Sequence, residues 1–253
     1  MNNDYIKSLV EKGKRIDGRN LDEFRKIIIE TNISKNAAGS ARCKIGQTEV
    51  IVGVKFDVGE PYSDSPDEGT IIVIAELIPV ASPDFELGPP SPKATELARI
   101  VDRGIRESKC IDFKKLCIKE GEKIWMAFID IYPLNDDGNL IDASVLASLK
   151  ALSEAKFPKI VNDKVEHESK TNNGLKLNKL PVTTTLYKIS GNILVDVNNK
   201  EEQVVDSRLS VSVADGNIHA LQKGGDVALS IDDISKMIDI AMKKEKELAK
   251  FLK

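Results

Sequence analysis

Three arginines, Arg99, Arg103 and Arg106, lie within eight residues, although the chain strongly prefers lysine, with 8 arginines against 29 lysines. The arginines lie together on one helix face, within an arc of roughly 60°, because residues three and four apart are neighbours on a helix. A guanidinium group binds phosphate oxygens in pairs, so this row is suited to a sugar-phosphate backbone. Apolar side chains mark the opposite face at helical spacing: Ala94, Leu97, Ala98, Val101 and Ile105.

An ordinary helix surface explains the same row equally well. Asp102 stands four residues before Arg106, and Glu96 stands three before Arg99, spacings that support ion pairs along one helix. Charge runs on helices are common, and most of them are solvated faces. The arginine row alone therefore leaves both interpretations open.

The composition limits how this chain could bind nucleic acid. Its 253 residues, 41% of them hydrophobic and 30% charged, are typical of a globular protein with a sizeable core. The formal net charge of −3 provides no global attraction to RNA or DNA. Any nucleic-acid binding must come from a local patch, completed where needed by partner subunits.

Cysteines and histidines offer little catalytic chemistry. Cys43, Cys110 and Cys117 are an odd count without CxxC spacing, which favours a reducing, cytoplasmic setting and small core residues over disulfides or a zinc site. His167 and His219 are far apart in sequence, and we expect structural roles for both. No metal site is predicted.

A membrane segment is not expected either. The first residues lack the basic start and apolar stretch of a signal peptide. The apolar run over 71–81 is interrupted by Glu76 and Pro79, so it does not resemble a membrane span.

The elements that must position the arginines are strands followed by helices, repeated along the chain. A short helix with Ile6, Leu9 and Val10 on one face ends near Gly13. The arginine helix follows a proline-rich stretch, a second helix is capped by Asp142, and Ser230 caps a long final helix. A polar hairpin or loop is expected over 164–178. Runs of β-branched residues bounded by turn sequences predict strands at 25–34, 41–45, 48–58, 70–78, 114–119, 123–132, 182–190, 192–197, 204–213 and 217–222.

This order predicts an α+β layered fold in which two strand-rich halves, with mixed sheets, pack on helices. We interpret residues 1–253 as a single domain. The repeated strand-then-helix order also indicates a pseudo-duplication, with halves near 14–157 and 158–253.

Four segments in the same order carry a resemblance to a known family. They are R-I-D-G-R-N-L-D-E-F-R, G-S-A-R-C-K-I-G-Q-T-E-V-I-V-G-V-K, E-L-A-R-I-V-D-R-G-I-R-E-S and D-I-Y-P-L-N-D-D-G-N-L-I-D-A-S. Together they resemble the RNase PH family, from about Arg15 to the end of the chain. Within that family the chain is most similar to the non-catalytic RNase PH-like subunit of the archaeal exosome.

The resemblance implies an RNase PH-type layered fold and a ring of three heterodimers with a catalytic RNase PH-like paralogue. In such a ring single-stranded RNA is degraded from its 3′ end, as inorganic phosphate attacks the terminal linkage, and RNA-binding cap proteins join the assembly. Positions that match Arg99 and Arg103 help hold the RNA backbone, whereas Arg106 is not singled out. No cofactor is expected on this chain; phosphate, with magnesium as a candidate, belongs to the partner's site.

The chain departs from active family members where phosphate is bound. Their glycine-rich loop carries a small hydroxyl residue and an arginine at places that correspond to Asn139 and Leu140. A leucine offers no donor, and Asp136 and Asp137 repel an anion. The paired arginines of active members correspond roughly to Pro92 and Lys93. We therefore predict no catalytic residue.

An alternative is a self-sufficient phosphorolytic 3′-to-5′ exoribonuclease that forms a homohexamer. Asp206 lies close to the place of the catalytic aspartate in active members, and it would be the carboxylate of such an enzyme. An aspartate at a strand start also commonly accepts hydrogen bonds from backbone groups, and Arg208 could neutralise it on the same strand face. Asp206 therefore has two interpretations, a catalytic carboxylate or a structural acceptor of hydrogen bonds.

Overall fold

A computed structural model describes residues 3–161 and 164–253, in which strands and helices alternate along the chain. Short 3₁₀ turns at Phe113–Leu116 and Lys250–Leu252 complete these elements. In chain order the elements are α1 (Asn3–Glu11), β1 (Ile27–Thr31), β2 (Gly39–Ile45), β3 (Thr48–Gly59), β4 (Thr70–Ala75), α2 (Pro92–Glu107), β5 (Cys117–Lys119), β6 (Lys123–Asn135), α3 (Leu140–Glu154), β7 (Lys156–Val161), β8 (Lys164–Gly174), β9 (Val182–Ile189), β10 (Asn192–Val195), α4 (Asn199–Glu202), β11 (Ser207–Ala214), β12 (Asn217–Gly224) and α5 (Ile231–Ala249).

The strands form two main sheets and one hairpin. The larger sheet has the order β1-β2-β3-β6-β4, with β5 paired to β6 at one end. The smaller sheet has the order β10-β9-β11-β12, and β7 pairs with β8. Within the larger sheet β4 runs parallel to β6, whereas the other pairs are antiparallel. The sheet is therefore mixed, and β4 is one of its edge strands.

Helix α3 occupies the middle of the molecule. It contacts β2 and β3 of the larger sheet and β9 of the smaller sheet. Twelve of its fifteen residues are buried, as expected for a helix that is covered on every side. One hydrophobic core extends from the larger sheet through α3 to β9, β11 and α5. The predicted α+β layered architecture is confirmed, with both strand-rich halves packed on helices.

Most predicted elements lie within a few residues of the observed ones, but some predictions need correction. Residues 114–119 do not form one strand, because a 3₁₀ turn precedes β5. The strand predicted at 204–213 begins at Ser207, and α4 lies before it. The residue preceding α3 is Asn139 in the left-handed region, at φ 58°, whereas Asp142 is buried inside the first turn.

The predicted cap of the final helix is confirmed, whereas the polar stretch differs from its prediction. Ser230 caps α5, since its side chain accepts a hydrogen bond from the Asp233 N–H. The polar stretch expected as a hairpin or loop over 164–178 is instead a single strand as far as Gly174, β8, which forms one arm of a hairpin with β7. Residues 162 and 163, between these strands, lie outside the described residues.

Candidate nucleic-acid interface

Helix α2 presents the arginine row, and the local sequence explains where it begins. The Ser91 side chain accepts a hydrogen bond from the Ala94 N–H at 3.2 Å, and Pro92 occupies the first turn, where its missing N–H costs nothing. One face of α2 is buried in the core, including Leu97, Val101 and Ile105. The predicted amphipathic helix is thereby confirmed, and the arginines lie on its outer side.

Arg99 and Arg103 are exposed on α2, one turn apart. Within the described part of the chain, no carboxylate pairs with either guanidinium group and no hydrogen bond involves it. The other six arginines all form ion pairs: Arg15, Arg19, Arg25, Arg42, Arg106 and Arg208. Two cations that the fold does not use therefore stand side by side on one helix face.

Arg106 differs from its two neighbours. Its Nη2 lies 2.9 Å from Asp102 Oδ1, the ion pair predicted from their spacing. The same nitrogen donates to the Ile71 carbonyl at 3.2 Å, and the guanidinium group lies 5.4 Å from the centre of the Phe113 ring. Arg106 therefore joins α2 to β4 and is a structural residue.

The predicted partner of Arg99 is wrong. Glu96 pairs with Arg208 of β11, at 2.5 Å between Oε2 and Nη2, and not with Arg99. Arg208 is consequently not the partner of Asp206 either. Asp206 Oδ2 accepts a hydrogen bond from the Ser190 N–H at 2.8 Å, where the chain turns between β9 and β10. The structural interpretation of Asp206 is the one that the geometry supports.

Two backbone donors of the loop before α3 are already engaged. The Gly138 N–H donates to Asp136 Oδ1 at 3.1 Å, and the Asp137 N–H donates to Thr48 Oγ1 at 3.2 Å. Asn139 and Leu140, at the places of the phosphate-binding residues in active family members, are buried. These two N–H groups are not free to bind a phosphate ion, and the Asn139 side-chain amide is used as well, because it donates to Asp142 and Asp196.

Lys93, the cation that remains near this loop, is also engaged. Its Nζ lies 3.1 Å from Asp136 Oδ2 and 5.1 Å from the centre of the Phe85 ring. Glu202 lies in the same neighbourhood, and burial raises the pKa of its carboxyl; the positive charge of Lys93 opposes this rise, and the Asp136 charge adds to it. The surroundings are therefore rich in carboxylates, which disfavour an incoming phosphate.

The sequence motif around residues 15–25 has a role that sequence reasoning did not assign. Arg25 pairs with Asp196 at 2.7 Å, and Arg19 binds the same carboxylate at 3.0 Å. Arg25 also donates to the backbone oxygens of Asp137 and Gly138, at 2.7 and 3.1 Å. Burial alone would raise the pKa of Asp196, but the hydrogen bonds from Arg25 hold it below its ordinary value. These arginines hold the loop before α3 against the second half of the chain.

A groove lies beside the free arginines, between α2 and β4. Its volume is about 460 Å³, and Ile72, Val73 and Ala98 contribute to its largely apolar wall. Arg99 and Arg103 line the same groove. The exposed cations and an apolar surface are thus neighbours.

The remaining candidate residues are dispersed. Cys43 and Cys110 are buried, as predicted, and burial raises the pKa of each thiol to about 12, while Cys117 is half-buried. His167 lies on β8 and His219 on β12, so the histidines belong to different sheets. In the described ranges, no group of three or more His, Cys, Asp or Glu side chains is arranged to hold a metal ion. Nor does any helix there combine the length and apolar character needed to cross a membrane.

Comparison with known proteins covers almost the whole chain. The 3′ exoribonuclease family matches in both its parts, domain 1 over residues 23–158 and domain 2 over residues 179–244. The exosome complex component Rrp42 of Methanopyrus kandleri is 44% identical over 253 aligned residues, which cover 98% of this chain and 94% of that protein.

Two solved structures are similar in both sequence and fold. A chain of the Archaeoglobus fulgidus exosome with RNA bound to the active site has a TM-score of 0.91 and 44% identity, covering 99% of this chain and 97% of its own length. A chain of an archaeal exosome core has a TM-score of 0.87 and 41% identity, with 99% and 96% covered. The RNase PH-type fold inferred from the motifs is therefore confirmed.

Proposed function

The chain belongs to the RNase PH-type 3′ exoribonuclease family, and we propose that it is a non-catalytic, RNA-contacting subunit of an archaeal exosome. In this proposal a catalytic RNase PH-like paralogue alternates with it in a ring of three heterodimers. Single-stranded RNA is the substrate, and RNA-binding cap proteins attach to the ring. The similarity to exosome chains of M. kandleri and A. fulgidus supports this assignment.

The observation that carries the RNA-contacting role is the state of the eight arginines. Six are bound to carboxylates, whereas Arg99 and Arg103 are exposed and unpaired on one face of α2, as far as the described residues extend. An unpaired guanidinium fork matches two phosphate oxygens, and two forks one helical turn apart match a sugar-phosphate backbone. Because the chain has an acidic net charge, RNA binding requires a local basic patch of this kind.

The non-catalytic role rests on the loop before α3. Its Asp137 and Gly138 N–H groups are used inside the fold, the Leu140 side chain supplies no donor, and Lys93 is held by Asp136. Phosphorolysis requires free donors and cations that hold the attacking phosphate. The phosphate, with magnesium as a candidate metal, is accordingly bound by the paralogue. The buried thiols of Cys43 and Cys110 are in keeping with a reducing, cytoplasmic setting.

Charge reversal at Arg99 and Arg103 tests the proposal. The double variant Arg99→Glu/Arg103→Glu, assembled with the paralogue, is expected to bind oligoadenylate more weakly and to degrade it less processively. Each phosphate contact on single-stranded RNA contributes about 0.7 to the slope of log K against log salt, so the slope should fall by about 1.4. Fluorescence anisotropy at several salt concentrations measures affinity and slope.

A matched control separates a local contact from a change in total charge. The double variant Lys236→Glu/Lys243→Glu makes the same charge change at exposed positions of α5 and should leave the salt slope unaltered. Equal losses in both double variants, or no loss at Arg99 and Arg103, contradict the RNA-contacting role.

An RNA decay assay tests which subunit is catalytic. Labelled RNA is incubated with phosphate and magnesium, and the assay compares each subunit alone with both subunits together. We expect activity only when the paralogue is present, and the highest activity when both subunits are present. Phosphate-dependent decay by this chain alone, lost on Asp206→Asn, would show the self-sufficient enzyme instead.

A further inference from the structure

A second groove lies at the start of β6, where that strand meets the hairpin of β7 and β8. Its volume is about 570 Å³, and its walls come from the 3₁₀ turn before β5, from β6 and from both strands of the hairpin. None of the described residues that line it also lines the groove between α2 and β4. It is therefore a separate surface of the molecule.

Trp125 brings an aromatic ring to this groove from the core face of the larger sheet. Alternate residues of a strand point to the same face, so Trp125 belongs to one row with Ala127, Ile129 and Ile131. The three aliphatic members of this row are fully buried, whereas Trp125 is half-buried and lines the groove. The core face of β6 is thus covered along this row except at its aromatic end.

A second aromatic ring lies beside Trp125. Phe157 of β7 is also half-buried and lines the groove, and its ring centre lies 5.5 Å from that of Trp125. Phe157 packs in turn on the buried Phe56, with 4.4 Å between the ring centres. Packing against the core therefore fixes the position of both groove rings, and part of each ring remains accessible.

The charged residues among those that line the groove are both lysines. Lys159 is exposed, and within the described ranges no ion pair or hydrogen bond involves its ammonium group. Lys115 lies 3.5 Å from Asp112 in a surface ion pair, a kind of contact that contributes little to stability and is readily exchanged. No carboxylate is among the described lining residues. The groove therefore attracts an anion to the edge of two aromatic rings.

Single-stranded nucleic acid is the ligand that this combination fits. Proteins that bind single strands stack bases on aromatic side chains while basic side chains neutralise the backbone. A duplex keeps its bases stacked inside the helix, so it cannot use the rings. An acidic peptide could use the lysines, but it carries no planar bases to stack on Trp125 and Phe157.

We propose that the groove formed by Trp125, Phe157, Lys115 and Lys159 is a second contact site for single-stranded RNA. A base stacks on the rings, and the phosphates that flank it face the two lysines. This inference rests on the proposed function, because it takes RNA as the substrate and adds a site apart from the free arginines of α2. An RNA long enough to reach both sites dissociates more slowly than one held at a single site.

Fluorescence of the full chain tests the site directly, because Trp125 is the single tryptophan of the sequence. A base stacked on the indole ring should quench its emission and protect it from acrylamide. Oligoadenylate should have both effects, whereas duplex RNA of the same length and an oligoglutamate peptide should have neither. The lining residues all belong to this chain, so absence of quenching in the isolated chain overturns the proposal. Equal effects of oligoglutamate would make the groove a site for acidic peptides and would overturn it as well.

Charge reversal of the two groove lysines tests the phosphate contacts. Lys115→Glu/Lys159→Glu should weaken the quenching titration with oligoadenylate at least fivefold. Lys236→Glu/Lys243→Glu makes the same charge change at exposed positions of α5 and should leave the titration unaltered. Equal weakening in the two double variants would show an effect of total charge and no site in the groove.

A milder substitution tests the stacking. Phe157→Leu keeps an apolar side chain but removes a ring, and it should weaken oligoadenylate binding about fivefold, the lower end of the range for one stacked base. Phe128→Leu is the control, because it makes the same change on the opposite face of β6. Circular dichroism should show that both variants fold. Equal affinities of the two variants contradict the stacking role.

The arginine variant separates this inference from the proposed function. In Arg99→Glu/Arg103→Glu, oligoadenylate should still quench Trp125 in the isolated chain, because the two grooves are distinct. If quenching is lost in that variant, the second site is not independent and only this inference fails. If quenching persists and the assembled ring binds RNA equally well with and without the two arginines, the RNA-contacting role proposed for α2 fails and the groove remains.

Discussion

Asp142 shows how burial decides the chemistry of a single carboxyl group. It is fully buried at the start of α3, where it accepts hydrogen bonds from the Thr185 N–H at 3.1 Å, the Thr185 hydroxyl at 2.8 Å and Asn139 Nδ2 at 3.1 Å. Burial raises its pKa from 3.8 to about 7, although these hydrogen bonds oppose the rise. Between about pH 4 and 7 the folded state therefore keeps a proton on Asp142 that the unfolded chain has lost.

This raised pKa predicts a specific pH dependence for the free energy of unfolding. Between about pH 4 and 7 the folded state binds the Asp142 proton more tightly than the unfolded state, so the wild type loses stability as the pH rises. Relative to Asp142→Asn, which cannot ionise, the loss should be on the order of 4 kcal/mol and should level off above about pH 7.

Urea unfolding at a series of pH values measures that difference. Asp215→Asn is the control, since it makes the same chemical change at an exposed turn position, in a left-handed conformation that asparagine tolerates. A constant difference between wild type and Asp142→Asn from pH 4 to 7 would contradict the raised pKa.

Residue identities and spacing located the arginine row but did not decide which of its arginines are paired. Asp102 and Arg106 lie four residues apart on one helix, so their pair could be read from the sequence. Glu96 and Arg208 are separated by 112 positions, and they meet only because β11 packs beside α2. Contacts of this kind depend on the assembled fold, and no local pattern encodes them.

Secondary-structure elements can likewise be predicted from the sequence only where a local pattern encodes them. Long β-branched runs predicted the strands because each sheet buries them, whereas α4 has only four residues and no apolar period. Its signal is a capping box in which Asn198 and Glu201 bind each other's backbone N–H groups. That spacing was present in the sequence and would have located the helix start.

The contact between β2 and α3 depends on a missing side chain. A Cβ atom at Gly39 would lie 2.3 Å from the Ala151 carbonyl oxygen and 2.7 Å from the Ala155 backbone. Gly39→Ala therefore forces the helix away from the sheet, and we expect a loss of about 1–3 kcal/mol in the free energy of unfolding. Chemical denaturation measures the loss.

Gly53→Ala on the adjacent strand is the matched control for this prediction. Gly53 pairs with Ser40 across the sheet, and its added Cβ would meet only the Ala37 side chain, at 3.9 Å. Because this contact distance is ordinary, Gly53→Ala should be neutral or should stabilise the protein by about 0.4–1 kcal/mol, since alanine lowers the conformational entropy of the unfolded chain. Equal effects of the two alanines would show that the close approach of β2 and α3 is unimportant.

At the scale of the whole molecule, the two halves share one core and a set of buried ion pairs. Arg15, before the first sheet, lies fully buried against Glu201 of α4, at 2.5 Å between Nη2 and Oε2. Arg15 also donates to the carbonyls of Val195 and Asp196, at 3.0 and 2.8 Å. The pseudo-duplication near 14–157 and 158–253 stays a prediction, and because of these contacts we expect the halves to unfold as one cooperative unit.

Cooperative unfolding has a direct spectroscopic test, because Trp125 of β6 is the single tryptophan of the chain and reports on the first half. Its fluorescence and far-ultraviolet circular dichroism, which reports on both halves, should give the same transition. Glu201→Gln keeps the shape of the side chain but leaves Arg15 buried without a counter-charge, so it should destabilise both transitions together by about 3–5 kcal/mol.

The exposed pair of Asp102 and Arg106 provides the comparison, since Asp102→Asn should cost at most about 1 kcal/mol. If Glu201→Gln separated the two transitions, the buried pair would be the main link between the halves and the shared core would be insufficient. If Glu201→Gln cost no more than Asp102→Asn, water would have to reach Arg15, and the halves would be joined by the core alone.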